Sequence, residues 1–188
     1  MFLDMTDDQQ LIDGCLRHDR KAQQELYEKY SRQMLGWCMR YAADRDEAED
    51  MLQEALIRAF LNIEEYKGKG SFGGWLRKLT VNTAINHYQR NLKYRQAVDL
   101  EDYIVNDDTN DSFDDCQFTS DELYGVLNAL PAGYRIIFNL YAIEGYKHKE
   151  IAKQLNIDVG TSKSQYSRAK ALIREKLNIL SQEKKTRE

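Results

Sequence analysis

Apolar side chains recur every three or four positions through most of this chain, the spacing that gathers them on one face of an α-helix. Over residues 22–41 the repeat runs through Leu26, Tyr30, Met34, Trp37, Cys38 and Tyr41; over 46–63 it runs through Met51, Leu52, Ala55, Ala59, Phe60 and Ile63. The turn Tyr66-Lys67-Gly68-Lys69-Gly70 stops the second helix, because glycine enters positive φ without steric cost. Helical spacing resumes from residue 71 to about 93 through Phe72, Trp75, Leu76, Leu79, Ala84, Ile85 and Tyr88, so three or four helices are expected to share one core.

The period is lost from about residue 96 to 120 and returns at 121–130 with Leu123, Val126, Leu127 and Leu130. Pro131, Ala132 and Gly133 interrupt it before Ile136, Ile137, Leu140 and Tyr141. The pattern predicts an all-α chain. Two small helical domains, residues 1–95 and 121–188, are joined by a flexible linker at 96–120.

Within the second domain, residues 145–177 have the anatomy of a helix-turn-helix. A short helix over 149–155 buries Ile151, Ala152 and Leu155, with the small Ala152 allowing a close crossing. A tight turn at Asn156-Ile157-Asp158 follows, and a longer helix starts near Val159 with Asp158 as its N-cap. Val159, Tyr166, Ala169, Ile173 and Leu177 form the expected core face of that helix. The opposite face carries Lys163, Ser164, Ser167, Arg168, Lys170 and Arg174. Short polar side chains and cations near the N-terminal half of such a helix are what a major groove receives. Lys163 and Arg168 are the candidates for base contacts, Ser164, Gln165 and Ser167 for bases or nearby phosphates, and Lys170 and Arg174 for the phosphate backbone.

Charge sharpens this division. The 188 residues carry a net −4, yet residues 1–95 hold 15 Lys/Arg and 15 Asp/Glu, residues 96–130 none and 10, and residues 131–188 12 and 6. A basic C-terminal module is therefore tied to a neutral one by an acidic strap that self-repulsion keeps extended. The remaining composition mainly excludes. Three cysteines and three histidines are scattered without metal-ligand or redox spacing, so neither a metal nor a cofactor is expected. No apolar run is long enough to span a membrane, and the acidic N-terminus MFLDMTDDQQ is unlike a secretory signal, which points to the cytoplasm.

Two segments of the first domain carry candidate chemistry. Between residues 67 and 95, Phe72, Trp75 and Tyr88 are interleaved with Lys67, Lys69, Arg77, Lys78 and Arg90, a mixture that suits single-stranded DNA: bases lie on aromatic faces while cations hold the backbone. Asn82 and Asn86, one helical turn apart, could hydrogen-bond a base. The other reading of the aromatics is ordinary core packing, which must claim some of Phe72 and Trp75. The segment DRDEAEDMLQE at 44–54 places Asp44, Asp46, Glu47, Glu49, Asp50 and Glu54 along an outer helix face, as a solvated face or a docking surface for a basic partner rather than a convergent catalytic pocket.

Taken together, DEAEDMLQEALIRAF at 46–60, GSFGGWLRKLTVNTAINHYQR at 70–90 and YKHKEIAKQLNIDVGTSKSQYSRAKALIREKL at 146–177 resemble the extracytoplasmic-function, or group IV, sigma factors of the sigma-70 family. The resemblance runs from about residue 22 to 180, apart from the linker. It implies a sigma region 2 bundle at 1–95 and a sigma region 4 helix-turn-helix at 121–188, acting with RNA polymerase core through its beta-prime clamp helices and beta flap. Asp50, Gln53 and Glu54, with Asp46 and Glu49 on the same acidic helix, would dock on the clamp helices. Lys67, Ser71, Phe72, Trp75, Lys78, Asn82, Asn86 and Arg90 would capture the non-template strand of the minus-10 element around a flipped base. The helix from Val159, with Lys163, Ser164, Gln165, Ser167, Arg168, Lys170 and Arg174, would read the minus-35 duplex. The acidic linker would thread basic channels of the polymerase, and an anti-sigma factor, often membrane-anchored, would hold the protein inactive. No small-molecule substrate is implied. The recognition helix departs from its relatives at Ser162, Gln165 and Ser167, so the promoter sequence does not follow.

Two other readings make different demands. A stand-alone helix-turn-helix transcriptional regulator would bind operator duplex without polymerase. A metal-dependent nuclease or phosphotransferase built on the carboxylates of 46–54 would turn over with Mg²⁺, but no phosphate-binding loop or histidine partner accompanies them.

Overall fold

A computed structural model describes residues 5–95 and 118–187 of the chain, and every regular element among them is helical. Two compact units result, Met1–Asn91 and Leu92–Glu188. The expected linker lies outside the described residues up to 117. Its last residues, Thr119 and Ser120, belong to a helix start.

The first unit contains α1 (Met5–Leu16), α2 (Arg20–Cys38), α3 (Arg45–Leu61), a 3-10 turn (Ile63–Glu65) and α4 (Phe72–Arg95). Local chemistry sets the helix starts. Asp19 caps α2 by accepting the Lys21 N–H at 2.9 Å, and Asp44 caps α3 by accepting the Glu47 N–H at 2.8 Å. Glu47 reaches back to the Ala43 N–H, so two otherwise orphaned donors are satisfied at one helix end. The core forms where the predicted repeats of α2, α3 and α4 meet, around Leu26, Met34, Leu76 and Ile85. Thr80 and Thr83 enter it because their hydroxyls donate to the Leu76 and Leu79 carbonyls at 2.8 and 3.0 Å.

α1 extends the expected set. Its Leu11, Ile12 and Cys15 are buried, and Asp8 accepts a hydrogen bond from the Tyr30 hydroxyl at 2.7 Å and pairs with Lys29 at 2.9 Å. At Gly14 α1 runs so near α2 that an added Cβ would lie 2.4 Å from that of Ala22. Only glycine fits there. The turn before α4 uses positive φ at Gly68 and Gly70, as the glycine pair predicts.

The second unit contains α5 (Ser120–Asn128), α6 (Ala132–Phe138), a π-helical turn (Asn139–Ile143), α7 (His148–Leu155) and α8 (Val159–Arg187). Thr119 and Glu122 form a capping box at the start of α5. The predicted continuous helix after Pro131 ends at Phe138 and widens into the π turn, closed by Gly145 at φ 77°. Leu130, Tyr134, Ala169 and Leu172 form one buried cluster, with Leu127, Phe138 and Ile173 packed against it. The inward face of α8 differs in detail from the predicted one: Ser162 and Leu172 are buried, while Val159 and Tyr166 are only partly so. Arg135 and Asn139 are also buried; the Arg135 Nη1 donates to the Asn128 carbonyl at 3.1 Å.

No described helix is long and apolar enough to cross a membrane. Among the described residues no cluster of His, Cys, Asp and Glu could hold a metal ion. Cys15 and Cys38 are buried free thiols, and burial pushes Cys38 up to about 12.

Candidate nucleic-acid and protein interfaces

In the second unit α7 and α8 meet across Asn156, whose left-handed conformation (φ 55°, ψ 49°) turns the chain within three residues. The Asp158 carbonyl accepts the Ser162 N–H at 3.0 Å, which puts Asp158 at the expected N-cap position. At 3.6 residues per turn, Lys163, Ser167, Lys170 and Arg174 line one flank of the outer face, and Ser164 and Arg168 line the next. Lys163, Ser164 and Lys170 are exposed, whereas Gln165 sits partly buried at the margin of the core face. The Lys170 ammonium lies 5.3 Å from the centre of the Tyr166 ring, which holds it over the helix.

The first turn of α8 is tied to α7 by His148. Its ring stacks on Tyr141 at 4.3 Å, meets Tyr166 at 5.7 Å, and its Nδ1 lies 3.0 Å from the Oγ of buried Ser162. Burial, and then the nearby Lys163 ammonium, holds the imidazole below the ordinary histidine range. The native state therefore favours the neutral ring, and the unfolded chain takes up the proton first. Stability from this group is lost as pH falls from about 6.5 through the native value. In an NMR titration of the full chain the His148 midpoint is expected below about 6.5, and Lys163→Ala should move it upward. An unshifted wild-type midpoint would contradict the assigned environment.

In the first unit the predicted DNA-binding residues separate into two sets. Ser71, Trp75, Lys78, Asn82 and Asn86 follow one another at steps of four, three, four and four, making one stripe along α4 opposite its core face. The Ser71 hydroxyl caps the helix by accepting the Gly74 N–H at 3.1 Å. The Asn82 Oδ1 is buried without a hydrogen-bond partner. Lys67 is exposed on the preceding loop, its ammonium donating to the Glu64 carbonyl at 2.8 Å.

Phe72 corrects the expectation of a base-stacking surface. It is 2% exposed, meets Tyr30 and Tyr66 edge-on at 5.6 and 5.2 Å, and stacks beneath Trp75 at 5.5 Å. Its place on α4 is one step off the polar stripe, so the ring enters the core and supports Trp75 from below. Tyr66, in the turn before α4, lies 6.0 Å from Trp75 and donates through its hydroxyl to the Gly70 carbonyl at 2.8 Å.

The acidic face of α3 divides in the same way. Asp46, Asp50 and Gln53 are exposed in one row, and the row continues into Ile57 and Leu61, which are 59% and 73% exposed. Those two apolar residues were missed; the signal was their spacing of four and eight from Gln53, on the polar face of an amphipathic helix. The flanking carboxylates are engaged internally. Glu49 pairs with Arg45 at 2.7 Å. Glu47 accepts from Asn91 Nδ2 at 3.0 Å and lies 3.3 Å from His87 Nδ1. Glu54 bridges Arg58, at 2.7 Å, and Arg90 on α4. Burial alone would raise the Glu54 carboxyl, but the hydrogen bond and charge of Arg90, with those of Arg58, outweigh it and hold the group below its ordinary range.

The sequence model of Sigma-70 region 2 matches residues 26–93, and that of Sigma-70, region 4 matches residues 120–173. Both regions occur in order, and together they cover more than half of the chain. The chain belongs to the extracytoplasmic-function group of the sigma-70 family. An ECF RNA polymerase sigma-E factor of Haemophilus influenzae is 29% identical over 183 residues, spanning 92% of this chain and 96% of that protein. An RNA polymerase sigma-H factor of Pseudomonas aeruginosa is 28% identical over 192 residues, spanning 97% and 100%. Among solved structures, the sigma factor RpoE of Bartonella quintana, determined in complex with the anti-sigma factor NepR, aligns with a TM-score of 0.47 at 20% identity over 83% of this chain and 96% of that one. This sigma factor directs promoter-specific transcription and is not an enzyme. Membership sets aside both the stand-alone regulator and the nuclease. The matches leave α1 and the last turns of α8, beyond residue 173, outside either region.

Proposed function

We propose that the sigma factor docks on RNA polymerase core through α3, captures the non-template strand of the minus-10 element on α4, and reads the minus-35 duplex with α8. The boundaries proposed for these roles are residues 1–95, a linker at 96–120, and 121–188. The observation that carries the reading is the α4 stripe: a partly exposed aromatic, a cation and two amides in line, one of them with a buried acceptor that lacks a partner. A base leaving the duplex can stack on Trp75 and offer a donor to Asn82, while Lys67 and Lys78 hold the backbone. Unstacking and unpairing that base costs a few kcal/mol, which core docking and duplex contacts offset.

On α3, the exposed Asp46, Asp50 and Gln53 suit a cationic partner, and Ile57 and Leu61 supply the apolar centre a protein interface needs. Action on polymerase and chromosomal DNA places the protein in the cytoplasm. An anti-sigma factor that covered α3 and α8 would block docking and duplex reading together.

Pull-down with purified core polymerase, followed by permanganate footprinting on a genomic promoter pool, tests the proposal. Stable binding with reactive thymines near the start site supports it and delivers the promoters. Failure to bind core, with duplex DNA still bound by the protein alone, overturns it. On a promoter so identified, Lys163→Ala is expected to lower holoenzyme affinity by about 1–3 kcal/mol and to relax selectivity at one minus-35 position. An equal loss on random duplex would mean that Lys163 touches only phosphate.

A further inference from the structure

The ion pair between Glu54 and Arg90 joins the two surfaces of the first unit, although the residues are 36 positions apart in sequence. Arg90 stands one turn beyond Asn86 and would extend the α4 stripe, but its guanidinium is turned onto α3. Glu54 stands beside the exposed row of Asp50 and Gln53. Its two oxygens are divided: Oε1 takes Arg58 at 2.7 Å and Oε2 takes Arg90. While Arg90 is so engaged, its charge is neutralised at the moment a DNA phosphate would need it.

We propose that Glu54 gates Arg90. In the free protein the carboxylate holds Arg90 against α3; when α3 docks on a cationic protein surface, a partner cation takes over Oε2 and Arg90 is released to a backbone phosphate of the captured strand. The inference rests on the proposed placement of core on α3 and of DNA on α4. Three features fit an exchange of side chains rather than a movement of helices. Arg58 remains on Oε1, so Glu54 is never left without a cation. The separate Glu47 contacts with Asn91 and His87 keep α3 and α4 joined throughout. The pair is also accessible, with side-chain exposures of 54% for Arg90 and 27% for Glu54, so an incoming cation can reach it. Linkage then requires reciprocity: if core loosens Arg90 for DNA, DNA on Arg90 strengthens the hold on core by the same factor.

The test uses the full chain and a fluorescent oligonucleotide carrying the non-template strand of a promoter found by footprinting, read by anisotropy. Free Glu54→Gln is expected to bind this strand about fivefold or more tighter than the free wild type, the lower range of such couplings. Adding Arg90→Gln to that variant should abolish the gain. Glu49→Gln, which removes the same charge beside Arg45 instead, should show no comparable gain. Unchanged affinity in Glu54→Gln, a gain that survives Arg90→Gln, or an equal gain in Glu49→Gln overturns the gate. Arg90→Gln in the assembled holoenzyme separates the two levels. Undiminished strand affinity there removes Arg90 from the DNA surface, and the gate with it; a clear loss there, with Glu54→Gln unmoved in the free protein, overturns the gate alone.

Discussion

Asp50→Arg combined with Gln53→Ala is expected to weaken binding to core polymerase by about 2–5 kcal/mol, the range for disrupting a hydrogen-bonded charge contact in an interface. That is on the order of 30-fold to several thousand-fold in Kd. Both residues are exposed on α3 and neither caps the helix, so the fold should be unaffected within about 0.5 kcal/mol. Of the neighbouring carboxylates, Glu47 and Glu49 are engaged by partners of the same unit and compensate poorly for the loss. Competition for labelled core, with circular dichroism as the control for folding, measures the effect. Full affinity in a folded double variant would remove α3 as the docking face.

Phe72→Ala is expected to destabilise the first unit by about 3–5 kcal/mol, the usual consequence of emptying a large aromatic site. The ring is enclosed by Tyr30, Tyr66 and Trp75, and none of these can collapse into the space without leaving its own contacts. Both tryptophans of the chain, Trp37 and Trp75, lie in this unit. Tryptophan fluorescence in a denaturant titration therefore reports its unfolding without interference from the second unit. Phe72→Leu should recover much of the loss. A protein in which Phe72→Ala kept its stability but lost strand binding would return Phe72 to the DNA surface.

The helices with a long apolar repeat were legible because burial enforces periodicity: α2, α3, α4 and the helix-turn-helix all follow from it. α1 was not, because its buried Leu11, Ile12 and Cys15 span little more than one turn and follow an acidic stretch that reads as a free terminus. Phe72 shows a different limit. Aromatic and basic residues mixed in one segment do not reveal which rings face inward, yet the period of α4 does: Trp75 shares a stripe with Lys78, Asn82 and Asn86, and Phe72 falls outside it. The pairing of Glu54 with Arg90, 36 positions apart, lay beyond either argument, since it depends on how α3 and α4 are set against each other. The same holds for buried Arg135 and Asn139, charged and polar types that pattern reading assigns to the surface.

The 29 residues of α8, about 43 Å of continuous helix, alternate inward and outward positions, with half-buried residues such as Gln165 only at the margins. Ala169, Leu172 and Leu177 hold the unit together, while Lys163, Ser164 and Lys170 are exposed away from it. Mutation can therefore rewrite the second group without disturbing the first. If the outer face reads the minus-35 duplex as proposed, a duplicated copy of such a gene could drift to a new set of promoters in single steps, each intermediate still folded. The same separation makes α8 a practical place to graft orthogonal specificities in synthetic circuits.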